Sequence, residues 1–186
     1  AGGGSLADIA DGIEWAVGND VDGVASNSRP ADVINMSLGG FGESNAMNDA
    51  IADAVAAGSI VVVAAGNDNS DASEFTPANA PDSITVAAHG NTGPNRAQPK
   101  KASYSNFGPG IDIVAPGGDG AVDQNSDGFK DHIFQQSFNF LFGSIRVWEW
   151  QGRSGTSMAT GHVSGAVALV RGLSPSSDAR AVLLST

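Results

Sequence analysis

Two stretches of the chain carry apolar residues at helical spacing. Leu6, Ile9, Ala10, Ile13, Ala16 and Val17 fall on one face of a helix, and Val163, Ala166, Val167 and Val170 follow i, i+3, i+4, i+7 behind Gly155-Thr156. A third, short helix is expected to start at Ser174-Pro175, with Pro at its first position and Ala179, Val182 and Leu183 as its apolar face. Between these lie continuous apolar runs. Val33-Ile34-Asn35-Met36, Ile60-Val61-Val62-Val63-Ala64 and Ile84-Thr85-Val86-Ala87-Ala88, which His89 closes, are rich in β-branched residues. Such runs predict strands covered on both faces, because a strand open to water on one side alternates. Helices alternating with buried strands indicate an α/β fold with a largely parallel sheet. Asn91 to Lys101 reads as a surface loop. Phe138, Phe140 and Phe142 alternate, Gly143-Ser144 is a turn signal, and Ile145 to Trp150 reads as a returning strand. This predicts a β-hairpin whose aromatics pack the insertion onto the domain, against the alternative that they bind substrate and help shape a cleft beside Ser157.

Composition narrows the picture. A chain of 186 residues with 41% hydrophobic content suffices for one domain with a real core. No run approaches the roughly 18 apolar residues of a membrane helix, so no membrane partner is expected. The absence of cysteine excludes disulfides and thiolate metal sites without excluding secretion. The net charge is −11, and 16 of the 20 acidic residues are Asp, which argues against nucleic acid as a partner. Some of those aspartates have the spacing of a calcium loop. Asp123, Asn125 and Asp127 would give oxygens at positions 1, 3 and 5, Gly128 the turn, Phe129 a backbone carbonyl and Asp131 a further carboxylate. Position 12 is Phe134 rather than glutamate, so the pattern is not an EF-hand. A structural Ca2+ is expected there, against the alternative of an acidic surface turn.

Candidate chemistry centres on Ser157, in Gly155-Thr156-Ser157-Met158-Ala159-Thr160. A hydroxyl at a helix N-terminus lies beside backbone N–H groups without intrahelical partners, which can stabilise an oxyanion. The same residues also suit an ordinary N-cap at Ser157 or Thr156. A second polar group, Asn67, follows the Ile60 strand at its carboxyl end, the edge where open α/β sheets bind ligands.

Ser37-Leu38-Gly39-Gly40, Ala64-Ala65-Gly66-Asn67 and Gly155-Thr156-Ser157-Met158-Ala159, in that order, resemble motifs of the subtilisin-like serine proteases. The similarity extends to Tyr104-Ser105-Asn106-Phe107-Gly108 and Val114-Ala115-Pro116-Gly117. The resemblance implies a three-layer fold, a polypeptide substrate, a secreted endopeptidase and an acyl-enzyme on Ser157. Asn67 would be the side-chain donor of an oxyanion hole completed by the Ser157 N–H. Ser37, Leu38 and Gly39 would pair with substrate backbone, Ala64, Ala65 and Gly66 would wall a side-chain pocket, and Asp68 would lie at its rim with Thr76-Pro77-Ala78 lining another part. The family's Asp-Ser/Thr-Gly and His-Gly-Thr motifs are absent. His89, His132 and His162 do not match the base, so the chain is expected to be the C-terminal two-thirds of a catalytic domain, inactive alone, with an insertion at about 118–151. The missing N-terminal part is then a partner. The other class of reading is a non-catalytic, calcium-stabilised binding module. One departure is Gly161, where the family has Pro; it loosens or straightens the first helical turn.

Overall fold

The computed structural model describes residues 4–90, 100–123, 126–141, 145–175 and 177–185. The predicted α1 is Leu6–Ala16, opened by Ser5, whose hydroxyl accepts the Asp8 N–H at 3.1 Å. Strand β1, Val33–Met36, leads to the two-residue β2, Gly40–Phe41, and helix α2, Asn45–Ala56. Then come β3 (Ile60–Ala64), β4 (Phe75–Thr76), β5 (Ile84–His89) and β6 (Ile113–Pro116). Strands β7 (Ile133–Leu141) and β8 (Ile145–Arg153) precede α3 (Thr156–Leu173) and α4 (Ala179–Leu184).

The main sheet has the order β1-β3-β5-β6 with every pairing parallel. Strand β3 shows why its sequence is apolar throughout. Successive side chains point to opposite faces: Val61 and Val63 join a cluster with Ile13, Met36, Met47, Ile51 and Ala54, whereas Val62 joins Val86, Ala159, Val163 and Val167. Helices α1 and α2 therefore cover one face and α3 with α4 the other, giving the three-layer α/β fold expected.

Helix α2 was not anticipated, although Met47, Ala50, Ile51 and Ala54 make its buried face. The last helix also starts later than Pro175. Ser174 N–H still bonds the Val170 carbonyl at 2.9 Å, so Pro175 lies in the turn that ends α3. Asp178 is the cap instead, its carboxylate accepting the Ala181 N–H at 3.0 Å.

The hairpin forms as β7 and β8, paired from Ile133↔Arg153 to Leu141↔Ile145, with the returning strand three residues longer than the expected Ile145 to Trp150. Gly143-Ser144 and Phe142 lie outside the described residues, as do Asn91 to Pro99 of the predicted loop. The described hairpin aromatics do not pack onto the domain. Phe134, Trp148 and Trp150 are 61%, 66% and 71% exposed. The reason lies in the register, which sets Phe138 opposite Trp148, so the rings meet edge-to-face at 5.7 Å within the ribbon itself.

Candidate active site

Helix α3 begins at Thr156 with Gly155 as its cap, and no side chain caps it. Neither Ser157 nor Thr156 is therefore the N-cap. Ser157 occupies the second helical position, half-buried, and its Oγ donates to the Ser37 carbonyl at 3.3 Å. In return the Ser37 hydroxyl donates to the Ser157 carbonyl at 2.9 Å. The helix runs unbroken through Gly161, so the Pro-to-Gly departure leaves the first turns of α3 regular.

A cleft of about 380 Å³ opens at the carboxyl ends of β1 and β3. Ser37, Leu38, Gly39 and Gly40 line it, as do Ala64, Ala65, Gly66, Asn67 and Asp68, together with Phe75, Thr76, Thr156 and Ser157. Ser37, Leu38, Gly39, Ala64, Ala65, Gly66 and Asp68, named from the resemblance, thus line one cleft with Ser157 and Asn67. Of Thr76-Pro77-Ala78 only Thr76 does; Ala78 is buried in a separate apolar cluster.

The Asn67 amide is oriented by a chain of donors. Thr156 N–H and Thr156 Oγ1 both donate to Asn67 Oδ1, at 2.9 and 3.1 Å. The Gly66 N–H donates to Thr156 Oγ1 at 3.3 Å, which commits that hydroxyl's own proton to Asn67. With Oδ1 so occupied, the NH2 end of Asn67 is the end with hydrogens to offer the cleft. Nearby, α3 contributes the partial positive charge of an 18-residue helix.

The loop bearing Asn67 hangs on one residue that the sequence reading assigned no role. Asn106, fully buried, donates to the Ala65 carbonyl at 2.9 Å and accepts the N–H groups of Asp68 at 2.9 Å and Ser70 at 3.1 Å. It packs so closely that a Cβ at Gly66, where φ is +104°, would collide with the Asn106 amide. Only glycine fits there. The signal in the sequence was the Ser105-Asn106-Phe107-Gly108 motif itself. Tyr104, also unassigned, donates its hydroxyl to the carbonyls of Gly117 and Gly118, at 3.0 and 2.6 Å. Gly155 N–H bonds the same Gly117 carbonyl at 3.0 Å, so this turn supports the start of α3. Burial, and then the nearby Asp119 carboxylate, push the Tyr104 hydroxyl up to about 12.

No histidine among the described residues is hydrogen-bonded to Ser157. His162 borders a shallow hollow that Ser157 also lines, but its Nδ1–H is given to the Met158 carbonyl at 2.9 Å. His89 donates to the Gly90 carbonyl, and His132 meets Ser154 Oγ at 3.0 Å.

At the predicted calcium loop, Asp123 accepts the N–H groups of Asp127 and Gly128, at 3.2 and 2.9 Å, and Asp127 accepts that of Phe129. Asn125 lies outside the described residues, and Asp131 is buried with its backbone bridged to Asp119. Among the described residues no three His, Cys, Asp or Glu side chains come together, and Asn125 and the backbone carbonyl of Phe129, also oxygen ligands in the calcium pattern, lie outside that set.

Comparison with known proteins gives the class. The subtilase family model matches residues 1–186, and the chain belongs to that family of serine proteases. It is 47% identical over 93% of its length to an extracellular protease of Xanthomonas campestris and 42% identical over 87% to alkaline protease 1 of Aspergillus oryzae. The chain spans only 27% and 33% of those two relatives. A protease structure from Pseudoalteromonas arctica superposes with a TM-score of 0.82 and 40% identity, over 99% of this chain and 52% of the other. A cold-adapted subtilisin-like serine proteinase superposes at 0.67 with 29% identity, over 94% and 50%.

Proposed function

We propose that the protein containing this chain is a secreted endopeptidase that hydrolyses peptide bonds through an acyl-enzyme on Ser157. The observation that carries this reading is the convergence of Ser157 and the oriented Asn67 amide in one cleft with Ser37, Leu38 and Gly39. Attack by Ser157 Oγ on a substrate carbonyl builds negative charge on its oxygen. The Asn67 NH2 and the Ser157 N–H are the donors for that charge, and their fixed orientation means little reorganisation during reaction. Ser37, Gly39 and Gly66 suit a peptide backbone because small residues let it approach, with Leu38, between Ser37 and Gly39, offering its backbone edge. The proton of Ser157 Oγ needs a base held by a carboxylate. The Ser37 carbonyl that Ser157 now meets is no base, so the histidine and aspartate come from the missing N-terminal part of the catalytic domain, and this chain alone is inactive. The extracellular relative supports secretion.

Specificity follows from the cleft. Ala64, Ala65 and Gly66 leave room for a large apolar side chain, which gains about 1.5 to 3 kcal/mol on burial. Asp68 is exposed, so its attraction for Lys or Arg is worth only about 0.2 to 1 kcal/mol and weakens with salt. Hydrophobic selection wins, with basic residues tolerated. Calcium at Asp123, Asn125, Asp127, Asp131 and the Phe129 carbonyl belongs to the same proposal as a structural ion. It is supported by the oxygen spacing and by the tight turn that the Gly128 N–H closes onto Asp123.

The test is the peptide-library cleavage profile of the full-length protein and of its Ser157→Ala and Asp68→Asn variants. Apolar preference, abolished by Ser157→Ala, is expected. Peptide hydrolysis that survives Ser157→Ala overturns the assignment of the nucleophile, and a strict Lys/Arg requirement overturns the role given to Asp68. A full-length protein that binds peptides without cleaving them is the binding module instead.

A further inference from the structure

Four hydrogen bonds tie the turn that carries Ser157 to a point further along α3, through the edge strand β1. Ser164 Oγ donates to Asn35 Oδ1 at 2.9 Å, and Asn35 Nδ2 donates to Ser37 Oγ at 2.9 Å. Ser37 Oγ donates to the Ser157 carbonyl at 2.9 Å, and Ser157 Oγ returns to the Ser37 carbonyl at 3.3 Å. The direction of each link is forced. A carbonyl only accepts, so Ser37 must donate to Ser157 and accept from Asn35. That turns the Asn35 oxygen toward Ser164, whose hydroxyl must then donate.

The geometry of the helix gives this relay its leverage. Ser157 and Ser164 are seven residues apart, close to two turns, and so lie on one face of α3. The relay fastens both points to β1 and the residues just after it. Apolar packing by Val163, Val167 and Met36 fixes the layers on either side of the sheet but is non-directional, and the other directional bonds of α3 lie near its ends, at Thr156 and Arg171. Directional bonds at two heights on one face oppose small rotations of α3.

We propose that Ser164 and Asn35 are positioning residues: through Ser37 Oγ, which donates to the Ser157 carbonyl, they hold the Ser157 backbone in register with Ser37-Leu38-Gly39, so that Ser157 Oγ stays placed when its own proton turns from the Ser37 carbonyl to the base. This rests on the endopeptidase reading above, because the register matters only if the substrate lies along that segment while Ser157 attacks it. Ser164 and Asn35 touch no substrate in this account. Their effect falls on the acylation step, where a small misplacement of the nucleophile is costly, and not on substrate binding.

The experiment uses the full-length protein as its gene encodes it. Second-order fluorophosphonate labelling at Ser157, peptide kcat and KM, and the melting temperature are measured for the unsubstituted protein, Ser164→Ala, Ser164→Thr and Asn35→Asp. Ser164→Ala keeps a good helix former, so it preserves the fold while removing the first donor. Ser164→Thr restores the hydroxyl. Asn35→Asp keeps an acceptor for Ser164 and removes the donor to Ser37, so the Ser37 proton is drawn away from Ser157.

Labelling and kcat are expected to fall about ten- to a hundredfold in Ser164→Ala and Asn35→Asp, with KM changed less than about threefold and activity largely restored in Ser164→Thr. Rates equal to the unsubstituted protein in both, an effect on KM alone, or an equal loss in Ser164→Thr overturns the relay. Failure of the unsubstituted protein to label at Ser157 overturns the endopeptidase reading and the relay with it, which separates the two failures.

Discussion

Replacing Asn106 by alanine removes three hydrogen bonds at once from the loop that carries Asn67. The side chain is fully buried, and its partners are the Ala65 carbonyl and the N–H groups of Asp68 and Ser70. At about 1 kcal/mol net for each bond, the loss is roughly 3 kcal/mol, rising toward about 5 if the abandoned groups find no water. For a domain of this size about 1 kcal/mol moves the melting temperature by roughly 2–4 °C, so a fall of about 6–20 °C is expected. Urea unfolding of the chain, followed by circular dichroism, reads the free energy directly. Asn106→Asp separates the donor from the acceptor role. It keeps an oxygen for Asp68 and Ser70 but sets a carboxylate against the Ala65 carbonyl, which disfavours ionisation in the folded state. The folded carboxyl then titrates above its unfolded value, so the variant is most stable below the unfolded value and loses stability as pH rises through the folded one. A loss below 1 kcal/mol in Asn106→Ala, or a pH dependence of opposite sign in Asn106→Asp, refutes the assignment of Asn106 as the loop's anchor.

Three further outcomes are expected. Tyr104 is the chain's single tyrosine, so absorbance at 295 nm should show it ionising near 12 when folded against about 10 unfolded; because the folded value is raised, its contribution to stability is complete below 10 and declines between 10 and 12, and Tyr104→Phe should remove that decline. Thr156→Val, which keeps shape but removes the link between Gly66 and Asn67, should lower kcat of the full-length protein about tenfold with little change in KM, as stopped-flow peptide hydrolysis would show. Calcium at a hundredfold excess over its Kd should stabilise the fold by about 2.7 kcal/mol relative to a chelator, and Asp127→Ala should remove most of that response in differential scanning calorimetry.

The core was legible where periodicity was strong. Val61, Val62 and Val63 could only be a strand with both faces covered, and Val163 with Val167 could only be the buried stripe of α3. Helix α2 was harder to see because its buried face includes two alanines, Ala50 and Ala54, which carry little hydropathic contrast. At the C-terminal helix the preference of Pro for a first helical position misled, since Ser174 is still the C-cap of α3 and Asp178 is the residue whose carboxylate caps α4. The cleft residues were named from motifs, and the structure brings them together. The motifs include Asn106 and Tyr104 but do not say what these residues hold. Asn106, Tyr104 and the Ser164–Asn35 pair are polar residues distant in sequence from their partners, and a hydrogen bond across 129 residues leaves no local pattern. The hairpin aromatics show the opposite failure, because composition alone does not tell a buried ring from one stacked on its own ribbon.

The central claim is that Ser157 is a nucleophile whose base lies outside this chain. The most direct measurement is mass-spectrometric mapping of a fluorophosphonate adduct, comparing the full-length protein with the 186-residue chain alone. The account predicts rapid, stoichiometric modification of Ser157 in the full-length protein and only background modification in the isolated chain, since among the described residues no histidine is hydrogen-bonded to Ser157. An adduct on a different serine, or Ser157 labelled as fast in the isolated chain as in the full-length protein, contradicts it.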